Sequence, residues 1–185
     1  VKHVLVTRVG NQIGWRLIDK VIELDILDNY VEFERGLPFK ELWSLYACAD
    51  VYLSCSKGEG AGLPIIEAMS VGVPVVGTRA GAIIEHIERG GGWLIDPMFS
   101  FCDPYGNADR HYIDTTKATQ ALLEAKSGLN VKAAVKKARE YVESRTWDIP
   151  VNQLDEAVRS FHVEEEQAQP TEAVGQTTLP SIASL

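Results

Sequence analysis

Between residues 51 and 77 the sequence VYLSCSKGEGAGLPIIEAMSVGVPVVG sets three glycines, Gly58, Gly60 and Gly62, between two short apolar runs. Glycine loses more conformational freedom on folding than any other residue, so such a cluster is tolerable only where the backbone turns through positive φ or something must approach it closely. Residues 51–54 suit a strand buried on both faces, and Val73, Val75 and Val76 repeat that signal after a helix-length interval. Pro64 falls near the first turn of the intervening helix, where its missing N–H costs nothing. The amides around Gly62, Leu63 and Ile65, with the positive end of the helix dipole, then make a site for a phosphate. Glu67 lies one turn beyond Leu63, roughly 6 Å along the axis. A carboxylate there can accept hydrogen bonds from sugar hydroxyls.

The rest of the chain alternates in the same way. Residues 4–7 read as a buried strand, 8–14 as a turn-rich loop and 15–24 as a helix in which Trp15, Ile18, Val21 and Ile22 share a face. Residues 31–33 form the next strand, and 39–48 a helix whose Leu42, Leu45 and Tyr46 face the sheet. Alternating strands and helices predict an α/β fold, a doubly wound parallel sheet of Rossmann-like type, with ligands bound beyond the carboxyl ends of its strands. After a second loop at 78–85 and the strand 93–95, residues 97–111 carry Pro, Gly, Asn, Asp and aromatics without a period, and read as a loop or irregular insertion. Helices follow at 115–126, 130–145 and 149–161. The expected boundaries are one Rossmann-like domain at 1–161 and a disordered tail at 162–185, where Glu, Gln, Pro and Thr cannot supply a core.

At 185 residues the chain is long enough for one domain that buries roughly 70% of its unfolded surface. Its net charge of −8 comes with no Lys/Arg cluster dense enough to follow a phosphate backbone, which argues against nucleic acid as a partner. No apolar run is long enough for membrane insertion. Cys48, Cys55 and Cys102 have no metal-like spacing and are expected as reduced thiols of a cytoplasmic protein. His3, His86, His111 and His162 share no spacing and are expected to be structural or exposed. Lys57 reads as a surface lysine, and Trp15, Trp43, Trp93 and Trp147 as core or edge packing.

Ser56, Glu59, Gly60, Gly62, Leu63, Pro64, Glu67, Ala68, Met69, Gly72, Pro74, Val75 and Val76 together resemble the S-x-x-E-G-x-G-L-P-x-x-E-A-M-x-x-G-x-P-V-V signature of family 4 retaining glycosyltransferases of the GT-B fold. Gly81 with Glu85, and Gly92, Leu94 and Pro97, resemble the family's next two motifs. Glu41, Leu42, Leu45, Tyr46, Ala49, Asp50 and Val51 resemble the helix and strand before the loop.

That resemblance implies one half of a GT-B enzyme: the donor-binding domain, which moves a sugar from a nucleotide-sugar to an acceptor with retention, usually without a bound metal. Glu59 is then the candidate catalytic residue near the reacting carbon. Gly60, Ala61, Gly62 and Leu63 hold sugar hydroxyls and diphosphate, Glu67 binds the ribose, and Glu85 is a possible further ligand. The acceptor-binding N-terminal domain, and a basic pair on the strand and helix before residues 4–7, are expected to be missing from this stretch. Departures include Ala61 at a commonly aromatic position, Cys55 at a commonly Pro one, and Arg35 or Gly36 where a glycine follows the strand 31–33. A GT-B nucleotide-sugar epimerase and a non-catalytic nucleotide-sugar-binding subunit stand as alternatives. A dinucleotide-dependent oxidoreductase is poorly supported, since no G-x-G-x-x-G follows the first strand.

Overall fold

A computed structural model describes residues 1–7 and 16–167; the loop expected at 8–14 and residues 168–185 of the expected tail lie outside the described residues. The chain divides into two units, Val1–Ser144 and Arg145–Leu185.

In the first unit the elements run β1 (His3–Thr7), α1 (Leu17–Glu23), β2 (Tyr30–Glu34), α2 (Phe39–Cys48), β3 (Tyr52–Ser54), α3 (Leu63–Ser70), β4 (Val75–Thr78), α4 (Ala82–Gly90), β5 (Trp93–Ile95), β6 (Pro97–Asp103), β7 (Ala108–Ile113), α5 (Thr115–Ser127) and α6 (Val131–Glu143). β3, β4 and β5 form a parallel sheet in that order, and β1 and β2 a separate parallel pair. The fold class is the expected α/β one, with crossover helices between parallel strands.

Adjacent residues of a strand point to opposite faces, and β4 shows what each face packs against. Val75 belongs to a cluster with Ile65 and Met69 of α3, Ile83 and Ile87 of α4, and Ala138 of α6. Its neighbour Val76 packs with Ile95 and with Ala118, Ala121 and Ala125 of α5. All four residues of β4 are buried. The sheet is therefore covered on both sides, which explains why its central strand reads as an unbroken apolar run.

The outer strands depart from expectation. Residues 4–7 were read as buried, yet Val4 is 54% exposed, because the only ladder β1 makes among the described residues is with β2. In β3 only Ser54 is buried, and Leu53 lies open. Gly36, not Arg35, takes the positive φ of 98° after β2, so the motif's glycine is displaced by one residue.

A larger correction concerns residues 97–111. They are not an irregular excursion: β6 and β7 pair as an antiparallel hairpin, Phe99 opposite Tyr112 and Phe101 opposite Arg110, with a register shift between Pro97 and Phe99. Alternation of aromatic with small or polar residues, Phe99-Ser100-Phe101-Cys102, supplies the period of two.

The second unit contains α7 (Asp148–Gln167), which runs six residues past the helix end expected at Phe161. Val151, Leu154, Val158 and Phe161 are spaced along it as one apolar stripe, and all are exposed. Trp147, expected as packing, is 83% exposed just before it. Among the described residues no helix is long and apolar enough to cross a membrane.

Candidate functional site

The glycine loop occupies the carboxyl end of β3, and its last glycine starts α3. Gly62 has φ 66° and ψ 31° at the N-cap, a left-handed conformation that glycine adopts without cost. A side chain there would also collide with the His86 ring, whose Cδ2 would lie 2.8 Å from the new Cβ. The loop rests equally closely on the β4–α4 turn. The Ala82 N–H donates to the Glu59 carbonyl at 3.0 Å, and a Cβ on Gly81 would stand 2.2 Å from that same oxygen. This contact accounts physically for the glycine of the second motif.

His86 lies on the buried face of α4, 3% exposed. Its Nε2 is 2.7 Å from the Ala61 carbonyl and its Nδ1 2.9 Å from the Tyr141 hydroxyl of α6. A carbonyl only accepts, so Nε2 carries a proton and donates it to Ala61, while Nδ1 shares a hydrogen bond with the Tyr141 hydroxyl. The ring is thus a strut from the core to the loop. Of the two roles expected for this histidine, structural or exposed, it takes the structural one, and its position beside Ile83 and Ile87 on one face of α4 marks it as pointing inward.

Of the three amides expected to be free, two are engaged. The Gly62 N–H donates to Glu59 Oε1 at 3.2 Å, and the Ile65 N–H to the Gly62 carbonyl at 3.0 Å. Glu59 therefore folds back over the start of α3, where a carboxylate complements the positive helix end. One turn along, Glu67 Oε2 accepts from the Tyr46 hydroxyl of α2 at 2.9 Å. Burial, and after it this bond to Glu67, push the Tyr46 hydroxyl well above its ordinary value. Tyr52 of β3 is pushed up to about 12 by burial and then by the negative charges of Glu59 and Glu67. Both carboxylates thus lie within electrostatic reach of one tyrosine. Glu85 is oriented differently: exposed on α4, it pairs with Arg89 Nη1 at 3.1 Å.

Lys57 is more than a surface lysine. Its carbonyl accepts from the His111 N–H at 2.9 Å, and its Nζ donates to the Tyr112 hydroxyl at 3.0 Å while lying 4.1 Å from that ring's centroid. A cavity of about 470 Å³ lies elsewhere: it runs along β5 and is lined by Arg79, Glu88, Trp93, Asp96 and Lys117. Arg79 is held there by Asp96 at 2.7 Å and Glu88 at 3.0 Å. None of the glycine-loop residues borders it, since their site is an open strand-end surface. Among the described residues no three His, Cys, Asp or Glu side chains are grouped to hold a metal.

Two outcomes test this geometry. His86→Leu keeps the volume but leaves the Ala61 carbonyl without its donor, a loss of about 1–3 kcal/mol; denaturant unfolding is expected to show it, and amide shifts of residues 59–63 to move with it. Unchanged stability and unchanged shifts would deny the strut. The raised hydroxyls of Tyr46 and Tyr52 bind their protons more tightly in the folded state than in the unfolded one. Their contribution to stability is therefore intact below pH 10.0 and is lost as pH rises toward the folded values. A Tyr46→Phe/Tyr52→Phe double variant is expected to lose stability less steeply above that pH in parallel melts.

A family model described as glycosyl transferases group 1 matches residues 4–100. A putative glycosyltransferase of a Sulfolobus islandicus filamentous virus is 35% identical over 106 residues, covering 55% of this chain and 33% of that protein. D-inositol 3-phosphate glycosyltransferase of Corynebacterium urealyticum is 39% identical over 80 residues, covering 43% of this chain and 18% of its own length. Among solved structures, sucrose-phosphate synthase from Thermosynechococcus elongatus superimposes with TM-score 0.69 at 21% identity, over 87% of this chain and 38% of that one. Anabaena HepE in complex with UDP-glucose does so with TM-score 0.65 at 20% identity, over 86% and 41%. The chain thus spans a third or less of these curated relatives. The fold it shares with the solved structures is the GT-B glycosyltransferase fold, and with more than half its length matched by the family model, the chain belongs to the group 1 glycosyl transferases.

Proposed function

We propose that the glycine loop and α3 form the nucleotide-sugar donor site of a retaining glycosyltransferase, of which this chain is the donor-binding part and in which another domain holds the acceptor. The observation that carries this reading is the convergence of Glu59 and Glu67 around the N-terminus of α3, with both charges felt at Tyr52. The HepE structures with UDP and UDP-glucose support a nucleotide-sugar as the ligand of this fold.

In this reading Glu67 takes the ribose hydroxyls. Tyr46 holds Oε2, which fixes the carboxylate's orientation and leaves the other oxygen to the ligand. The amides of Gly60, Ala61, Gly62 and Leu63 hold sugar hydroxyls and the diphosphate. As the glycosidic C–O bond breaks, negative charge develops on the departing phosphate oxygen, and preorganised N–H groups at a helix start stabilise it without reorganising. Glu59 faces the sugar and not the base. It is no nucleophile in this scheme: the acceptor hydroxyl attacks the anomeric carbon from the face the diphosphate leaves and gives its proton to the departing phosphate oxygen, which retains the configuration. No resident metal is required, and the site is proposed to work in the cytoplasm.

Glu67→Ala is expected to weaken binding of the matching nucleoside diphosphate by about 1.5–3 kcal/mol, the range for hydrogen bonds to a charged group. Calorimetric titration with UDP, GDP and ADP reads this directly, and equal affinity in the two proteins would sink the ribose assignment. Glu59→Gln, in an enzyme carrying both halves, is expected to lower kcat/KM while nucleotide affinity stays within twofold, as for a contact strengthened in the transition state. Normal turnover in that variant would end the catalytic role.

A further inference from the structure

The β6–β7 hairpin projects from the carboxyl end of β5, the same end of the sheet that carries the glycine loop. Its two faces differ. On one, Ser100 and His111 are joined by a 2.6 Å hydrogen bond. On the other, Phe99 and Tyr112 stack with centroids 4.6 Å apart and planes 15° from parallel, and Phe101 lies 5.8 Å from the same Tyr112 ring. Lys57 Nζ sits over Tyr112, Arg110 and Asp103 close the far end of this face with a 3.2 Å ion pair, and Phe99 remains 52% exposed.

The aromatic face is fastened to the glycine loop. The backbone bond from His111 to Lys57 and the ammonium on Tyr112 tie β7 to the residue two before Glu59. Arg110 Nη1 would be 3.4 Å from a Cβ on Gly58. The register shift at the start of β6 is the kind of bulge that re-aims side chains beside a site. The hairpin therefore stands directly beside the loop, against Lys57 and Gly58.

We propose that the exposed aromatic face of the hairpin binds a sugar ring of the acceptor, forming with the glycine loop two walls of one site; this rests on the donor-site reading above. A hexose has one face lined by C–H bonds and an edge of hydroxyls. The C–H face packs on the negative π-face of Phe99 or Phe101, and the hydroxyl edge takes hydrogen bonds from Arg110 and to Asp103. The patch fits that occupant in size and charge. Two half-exposed phenylalanines offer on the order of 200 Å², far below the roughly 800 Å² per partner of a stable protein interface. Lys57, Asp103 and Arg110 on the same face oppose insertion into lipid, where unsatisfied charges are costly.

The purified chain, uniformly labelled, would be titrated with methyl α-glucoside, methyl α-mannoside and maltose, following aromatic and amide resonances and saturation transfer to the sugar C–H protons. At least one probe is expected to bind with shifts confined to the hairpin and residues 57–59. Phe99→Ala is expected to weaken it five- to twentyfold, and Phe99→Tyr to restore it to within twofold; retention of the His111 and Lys57 amide shifts shows that the hairpin itself persists. The proposal is overturned by the absence of binding for all three probes, by binding indifferent to Phe99→Ala, or by phosphatidylcholine vesicles or a second copy of the chain shifting the same resonances in their place. UDP, GDP and ADP are titrated into the same samples. Nucleotide binding that is equal in wild type and Phe99→Ala keeps the donor reading intact whatever the sugars do. Failure of every nucleotide beside a Phe99-dependent sugar overturns the donor reading and leaves the hairpin as a sugar-binding surface.

Discussion

The Glu59 carbonyl stands where any side chain at position 81 would have to be, 2.2 Å from an ideal Cβ, and the geometry of the site follows from that approach. It lets the first loop lie directly on the second, so that the Ala82 amide can reach the same carbonyl. From below, His86 carries the position of α6 to the Ala61 carbonyl through Tyr141. From the side, β7 holds the Lys57 carbonyl. Three separate elements thus fix consecutive parts of a loop whose glycines would otherwise leave it with many conformations. Such restraint is what an amide-lined site needs, since donors already aimed lose little on meeting charge.

How far this was legible from residues alone depended on whether the signal was local. The order strand, glycine loop, helix, strand around Gly62 and Pro64 could be read because each part follows from its own few residues: φ at Gly62, the tolerated proline, the two-sided burial of Val75 and Val76. Glu59 and Glu67 could be named for the same reason. Their partners could not. Tyr46 is 21 residues from Glu67, and Tyr141 is 55 from His86, so these bonds exist only after α2 and α6 have packed. The expectation that the Gly62 and Ile65 amides would be free failed because local hydrogen bonding intervenes: a carboxylate three residues before Gly62 is well placed to take its amide.

The outer strands went wrong for a different reason. An apolar run such as Val4-Leu5-Val6 predicts a strand, but whether it is buried depends on what pairs and packs beside it, which the run does not contain. For residues 97–113 the error ran the other way. Gly, Asn and Pro in that stretch drew attention to its turn, and masked the alternation in Phe99-Ser100-Phe101-Cys102 that pairs with Arg110-His111-Tyr112. The hairpin's aromatic face then gives Lys57 a partner that no local pattern announces.

The placement of charge follows from the same contacts. The chain is anionic overall, and three cations around the glycine loop and its neighbouring turns are engaged: Lys57 by Tyr112, Arg79 by Asp96 and Glu88, Arg110 by Asp103. The helix start of α3 is what the glycine loop itself offers an anion, and Glu59 already takes the Gly62 amide there. A single N–H cannot serve a second acceptor at full strength, so a ligand oxygen arriving at Gly62 must displace Glu59 Oε1. The 3.2 Å bond is long for one to a carboxylate, and a diphosphate nearby would repel the departing carboxylate further. Released from its cap, Glu59 keeps its backbone on Gly81 while its side chain is free to turn toward the sugar. In the donor-site reading proposed above, the residue that caps Gly62 is in this way also the one set to face the sugar.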